Sequence, residues 1–187
     1  MANRLPSPRI MPLPRAERTP SSQAVLDGAR AGSTEANIVT TLVRNEGLTR
    51  RWLPFAGKLL NGKIPARDRE LLTLRTAWNC QSEYEWAQHE VIGRSTGLTD
   101  DEIGRIPAGP GAGWTHADSI LLLAADELHQ HWCITDPTWA ELSERYDQQQ
   151  LIEIPMLVGH YHMVAMTLNS LGVQVEPGLK GFPEVPA

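Results

Sequence analysis

Residues 148–171 read QQQLIEIPMLVGHYHMVAMTLNSL, a stretch that is apolar nearly all the way round a helix instead of along one stripe. Such a helix must be covered on most sides, so it belongs inside a bundle or between subunits. Pro155 is expected to kink it, and Gly172 to end it in the left-handed conformation glycine tolerates. The rest of the chain offers the cover. From Asn37 onward almost every segment has helical spacing, and no alternating strand pattern with hairpin residues interrupts it, so the fold class is all-α.

Helices are expected over residues 35–45 and 50–62, then from Pro65, where a missing N–H costs nothing at the first helical position. Leu71, Leu74 and Trp78 give that third helix an apolar stripe. A fourth runs from Ser82 to Gly97, a short one is capped by Thr99, and another is capped by Thr115 with Ala117, Ile120, Leu121, Ala124 and Leu128 at core spacing. Asp136 and Pro137 open one more. Residues 1 to about 22 are proline-rich and without period, hence extended unless packed on a partner; residues 1–36 form an arm and 37–187 a single helical domain. The glycine-rich break at 107–113 reads as a surface loop.

A formal charge of -5 without any long basic run argues against nucleic acid or an anionic membrane as partner, leaving a small molecule or another protein chain. No apolar run approaches the roughly 20 residues that cross a bilayer. Cys80 and Cys133 show no paired spacing, which fits reduced thiols in a cytoplasm.

Chemistry concentrates at residues 79–89, NCQSEYEWAQH. On a helix from Ser82, Glu85 and His89 lie one turn apart on one face, where a carboxylate fixes an imidazole's tautomer for proton transfer. Ser82-x-x-Glu85 is also a capping box, which by itself accounts for both residues. Glu70 points toward the apolar side of the preceding helix, and a buried carboxylate wants a partner. A short antiparallel connection would bring it to His89. His160 and His162 point about 200° apart on their helix and cannot share one metal on one face. His129 and His131 end a helix, where the dipole favours positive charge.

PARDRELLTLRTAW, SEYEWAQH, GLTDDEI, ADELH and LVGHYHMVAMTLNSLGV together resemble, in order, the carboxymuconolactone decarboxylase and alkyl hydroperoxidase D-like (AhpD-like) superfamily over roughly residues 37–175. The resemblance implies an all-helical bundle assembled as a homo-oligomer, a trimer or hexamer. Members of its peroxidase branch carry a glutamate, a Cys-x-x-Cys pair and a histidine. Here Glu70 and His89 match the glutamate and histidine, but Ser82 and Glu85 stand where the cysteines belong, so thiol peroxidase activity is not expected. The decarboxylase branch carries Glu-x-Glu-x-x-x-His, reproduced by Glu83, Glu85 and His89, although Glu83 falls about 120° round the helix from His89.

The expectation is therefore an acid-base enzyme of the decarboxylase kind, needing neither cofactor nor metal, acting on a small carboxylated lactone or keto acid. His89, Glu85 and Glu70 are its expected catalytic residues. Ser82, Glu83, Tyr84, Trp86 and an arginine, taken as Arg75 with Arg69 and Arg94 as alternatives, are expected to bind substrate. Two rival functions are a hydroperoxide reductase-like redox protein working through Cys80 and a non-catalytic oligomeric ligand-binding protein.

Overall fold

The computed structural model describes residues 5–29 and 35–183. It is all-α, with no strand among those residues. In chain order the helices are α1 (Pro20–Gly28), α2 (Asn37–Leu42), α3 (Glu46–Leu60), α4 (Ala66–Asn79), α5 (Glu83–Ser95), α6 (Asp100–Arg105), α7 (His116–His131), α8 (Asp136–Arg145) and α9 (Gln148–Leu171).

The centre of the bundle is α4, which packs against α5, α7 and α9. Every residue from Asp68 to Ala77 is buried, so α4 has no solvent face over that stretch. Leu71, Leu72 and Leu74 fill the apolar part of its surroundings, at about 1.5–3 kcal/mol each. Its buried charges need matching from the neighbours, because an unpaired ion in a dry interior is strongly disfavoured. Asp68 accepts from Tyr146 Oη and Arg145 Nη2, both at 2.7 Å. Arg75 pairs through two bonds with Asp126 on α7, at 2.6 and 2.8 Å. The stripe expected from Leu71, Leu74 and Trp78 is thus one part of a helix enclosed on all sides.

The arm is packed rather than free. Arg9 N donates to Leu171 O and Leu13 N to Thr40 O, each at 2.8 Å. Helix α1, which the proline content concealed, begins with a Thr19–Ser22 capping box and Pro20 in its first turn. It buries Val25 and Leu26 against Val39 and Val43. Residues 1–4 and 30–34 of the arm, and the end of the chain at 184–187, lie outside the described residues.

Helix α9 runs unbroken through Pro155 to a left-handed Gly172. One side, including Ile154, Leu157, Val158, Tyr161 and Leu168, lies in the cores. The opposite side leaves Ile152, Met156, Met163 and Met166 exposed, so its all-round apolarity serves two surfaces, only one of them inside this chain. The expectation that no apolar run approaches membrane-spanning length is corrected here: α9 is the one described helix long and apolar enough to cross a membrane, and half of that stretch is buried within the fold, as in a core helix.

Candidate active site

Three residues turn the chain from α4 into α5. Gln81 takes a left-handed φ of 52°, Gln81 N donates to Trp78 O at 3.0 Å and Ser82 N to Ala77 O at 2.8 Å. That pattern is a Schellman closure of α4, made here without glycine. It has a consequence for the next helix. The Ser82 N–H that a capping box would offer to Glu85 is already engaged, and Ser82 makes no side-chain cap bond. The capping-box expectation is therefore corrected: both side chains are released from the helix end and turn inward, Ser82 fully buried and Glu85 3 % exposed.

The tight turn lays α5 back along α4. At Gly93 an added Cβ would come within 3.1 Å of Leu98 Cδ1 and 3.4 Å of Leu74 Cδ1, so the missing side chain lets the helices approach one turn beyond His89. The approach joins Glu70 and His89: Nδ1 of the imidazole meets Glu70 Oε2 at 2.6 Å, with Glu70 fully buried and His89 7 % exposed. Arg69 Nε donates to the other oxygen, Oε1, at 2.8 Å. Burial alone would raise the Glu70 pKa, but the His89 charge and hydrogen bond, helped by Arg69, hold it below the ordinary carboxylate value. Glu70 is thus ionised and accepts the Nδ1 proton, leaving His89 Nε2 as the atom open to a reactant.

Tyr161 of α9 sets its ring edge against His89, with centroids 4.8 Å apart. Burial, then the charges of Glu70 and Glu85, keep its hydroxyl protonated well above the usual phenol range. Beside it, His160 lies over Trp52 at 6.1 Å and against Phe55 at 5.4 Å. Burial and the His89 charge pull His160 down to about 4, so it is a neutral ring whose Nδ1 has no hydrogen-bond partner.

Glu85 differs from Glu70 in every respect. Both its carboxyl oxygens are buried without a hydrogen-bond partner, as is Ser82 Oγ. Burial pushes Glu85 well above the usual carboxylate range, and Ser82 offsets only part of that. The expectation that Glu85 orients His89 is corrected: Glu70 holds that ring, and Glu85 makes no hydrogen bond to it.

Several expected substrate-binding residues are employed elsewhere. Arg75 is spent on Asp126 and on the Ile106 and Pro107 carbonyls, a structural cluster tying α4 to α7 and the loop after α6. Arg94 is held by Glu90 and Asp100, both at 2.6 Å. Of the three arginines only Arg69 stands at the dyad. Trp86 is 1 % exposed and packs its ring against Trp78 and Phe182, a core position. Tyr84 accepts from Ile38 N and donates to Glu176 Oε1 at 2.6 Å, tying α5 to the segment after α9. Glu83 faces the same segment, where a Cβ at Gly181 would collide with its carboxylate. The periodicity of α5 put these residues on a helix, but none of them meets the Glu70–His89 pair through a hydrogen bond.

The sequence reading missed Tyr161 and the placement of His160. The only signal was the His-Tyr-His run in an apolar helix, polar groups that a buried helix must satisfy somewhere.

The large cavity of the described residues, about 660 Å³, lies between α3 and α9 and is lined by Thr41, Leu48, Trp52, Phe55, Met163 and Leu168 among others. Its wall residues Trp52 and Phe55 touch His160, but neither His89, Glu70 nor Glu85 lines it. A hollow holding the dyad itself is therefore not what this cavity provides. Its mouth is bordered by the exposed Leu48, Phe55 and Met163.

Comparison with known proteins agrees with this architecture. The family model described as the carboxymuconolactone decarboxylase family matches residues 46–126, which span Glu70, Ser82, Glu85 and His89. A search of the curated proteins finds no match. Among solved structures, a variant of the debrominase Bmp8 in complex with 2,3,4-tribromopyrrole aligns with a TM-score of 0.75 at 16% identity, over 92% of this chain and 94% of that one. The AhpD core of an uncharacterized peroxidase-related protein from Ralstonia eutropha JMP134 aligns at 0.73 and 15% identity, over 88% and 87%. ATU0492, a protein of unknown function from Agrobacterium tumefaciens, aligns at 0.67 and 13%, over 72% and 94%. The family match thus covers the site-bearing helices, and the chain shares the all-α fold of these structures over most of its length.

Proposed function

We propose that the protein is an acid-base enzyme that decarboxylates, or otherwise moves a proton on, a small carboxylated lactone or keto acid without a cofactor. The observation that carries this reading is the buried 2.6 Å contact between Glu70 Oε2 and His89 Nδ1, with a second buried carboxyl on the same helix as His89, Glu85, whose pKa burial raises. Two carboxyls whose environments push their pKa values apart are the arrangement that divides acid from base roles at a single pH.

In the proposed reaction the bond between the substrate carbon and its carboxylate breaks. Its electron pair passes into the adjoining carbonyl as an enolate, and carbon dioxide leaves. The enolate carbon then takes the proton from His89 Nε2, which is replaced from solvent; Glu70 holds the ring and its transient charge through Nδ1. Glu85, kept protonated by burial, donates a hydrogen bond or a proton to the developing oxyanion. Arg69 is the cation for the substrate carboxylate.

Several other features fit. The exposed side of α9, with Ile152, Met156, Met163 and Met166 within one sector of the helix, supports self-association as a trimer or hexamer, and sedimentation velocity tests that directly. The two free cysteines fit a reducing cytoplasm. The hydroperoxide reductase reading is not favoured, because burial, with a smaller contribution from the Glu85 charge, pushes the Cys80 thiol up to about 12 and leaves almost no thiolate at neutral pH.

The test is a screen of lactone and keto acids for released carbon dioxide with the wild type and with His89→Gln. Release by the wild type that the variant lacks supports the reading; binding of the acids with no turnover by either chain would favour a ligand-binding protein instead.

A further inference from the structure

Where α4, α7 and α9 meet, three side chains converge. Cys80 caps the end of α4, His129 lies in the last turn of α7 and His162 sits midway along α9. Their ligand atoms all lie within 4.8 Å of one another. His129 Nδ1 and His162 Nε2 are 2.9 Å apart, and His162 Nδ1 donates to Val158 O at 2.9 Å. That backbone bond fixes the His162 proton on Nδ1 and aims the lone pair of Nε2 into the cluster. Metal-bound histidines are commonly oriented by such a bond on the other ring nitrogen.

We propose that Cys80, His129 and His162 form a binding site for one thiophilic divalent cation of the zinc class. Two imidazoles and one sulfur are donors that suit such an ion better than magnesium or calcium, which take oxygen ligands. Zinc–nitrogen and zinc–sulfur bond lengths put the ligand atoms of a tetrahedral site roughly 3.3–3.7 Å apart. The cluster therefore has to open by about 0.4 Å between the two imidazole nitrogens and close by up to about 1.2 Å on the sulfur, movements within reach of side-chain rotation. His129 shifts its proton from Nδ1 to the outer Nε2, and the Cys80 proton leaves to solvent. Three protein ligands leave the fourth position for water, and the exposure of His129 gives that position an entrance. Once filled, the site would fasten the end of α4 to α7 and α9.

No short motif announces this site, because its ligands are 49 and 33 residues apart. The inference does not depend on the decarboxylase reading.

The experiment titrates Co²⁺, as a spectroscopic probe, into the tag-free full-length chain stripped with a chelator, followed by competition with Zn²⁺. The expected result is one equivalent bound, with a thiolate-to-cobalt charge-transfer band and tetrahedral ligand-field bands that Zn²⁺ abolishes. Cys80→Ser should remove the charge-transfer band, His162→Ala should weaken binding about 10-fold or more, and Cys133→Ser and His131→Ala should bind as the wild type does. A wild type without the thiolate–cobalt band, or a band lost in Cys133→Ser and kept in Cys80→Ser, overturns the proposal. Alkylation of the unmutated protein checks it without relying on variant folding: Zn²⁺ should shield Cys80 while the exposed Cys133 reacts unchanged, and equal labelling of Cys80 with and without Zn²⁺ overturns the site equally.

Discussion

Glu70 on α4 and Glu85 on α5 are both buried carboxyls, yet one is fully answered and the other is not. Glu70 has the imidazole on one oxygen and a guanidinium on the other, and it is ionised. Glu85 has neither, and burial raises its pKa well above the usual carboxylate range. The difference shows how one interior makes a base-holding group and an acid from the same side chain: partners decide the first, their absence the second. It also separates roles that a single sequence pattern had merged. Groups already satisfied by the fold position the chemistry, whereas the unanswered Ser82, Glu85 and His160 Nδ1 have hydrogen-bonding capacity left for a ligand.

The sharpest way to break the paired side is His89→Gln, which keeps the volume and removes the proton carrier. Turnover should fall about 10²–10⁴-fold, measured as carbon dioxide release, with helical circular dichroism unchanged. Next is Glu70→Leu, which strands Arg69 and the imidazole in a dry interior. A loss of about 3–5 kcal/mol in denaturant unfolding is expected, as for removal of one partner from a buried pair. The Arg75→Met change is a control of similar size: it leaves Asp126 uncompensated and should destabilise by the same order, about 3–5 kcal/mol, while the folded fraction at low temperature keeps its turnover.

The unpaired side responds with the opposite sign. The folded pKa of Glu85 is raised, so the unfolded state releases this proton first. Its contribution to stability is intact below about pH 4.3 and declines as pH rises above that value. Glu85→Gln should therefore match the wild type near pH 4 and become progressively more stable relative to it toward pH 8, read as the difference in thermal midpoints. Glu70 behaves in reverse: its folded pKa is lowered, so its contribution is present above about pH 4.3 and is lost on further acidification, and Glu70→Gln should flatten the acid limb. The smallest effect is expected from Cys80→Ala, which should leave carbon dioxide release within about twofold of the wild type, since no thiolate takes part.

The helices and the convergence of Glu70 with His89 were legible because periodicity and a short connection suffice to set neighbouring helices antiparallel. The role of Glu85 was not. Ser-x-x-Glu reads as a capping box until the Schellman closure at Gln81 is known to occupy the Ser82 N–H, and Gln81 carries no glycine signal for a left-handed turn. Arg75 was misread for a related reason. Its partner Asp126 lies 51 residues away, a pairing that only the packing of α4 on α7 creates. Helix α1 was hidden by the prolines around it, although Pro20 itself occupies a first-turn position that favours a helix.

The central claim is that His89, held by Glu70, exchanges a proton with carbon. Nuclear magnetic resonance in deuterium oxide tests it on the acids that the chain turns over, by following deuterium entry at the carbon that loses the carboxylate. The account predicts one deuterium per turnover delivered by the wild type and almost none by His89→Gln over the same time. Incorporation by the variant at the wild-type rate would contradict it.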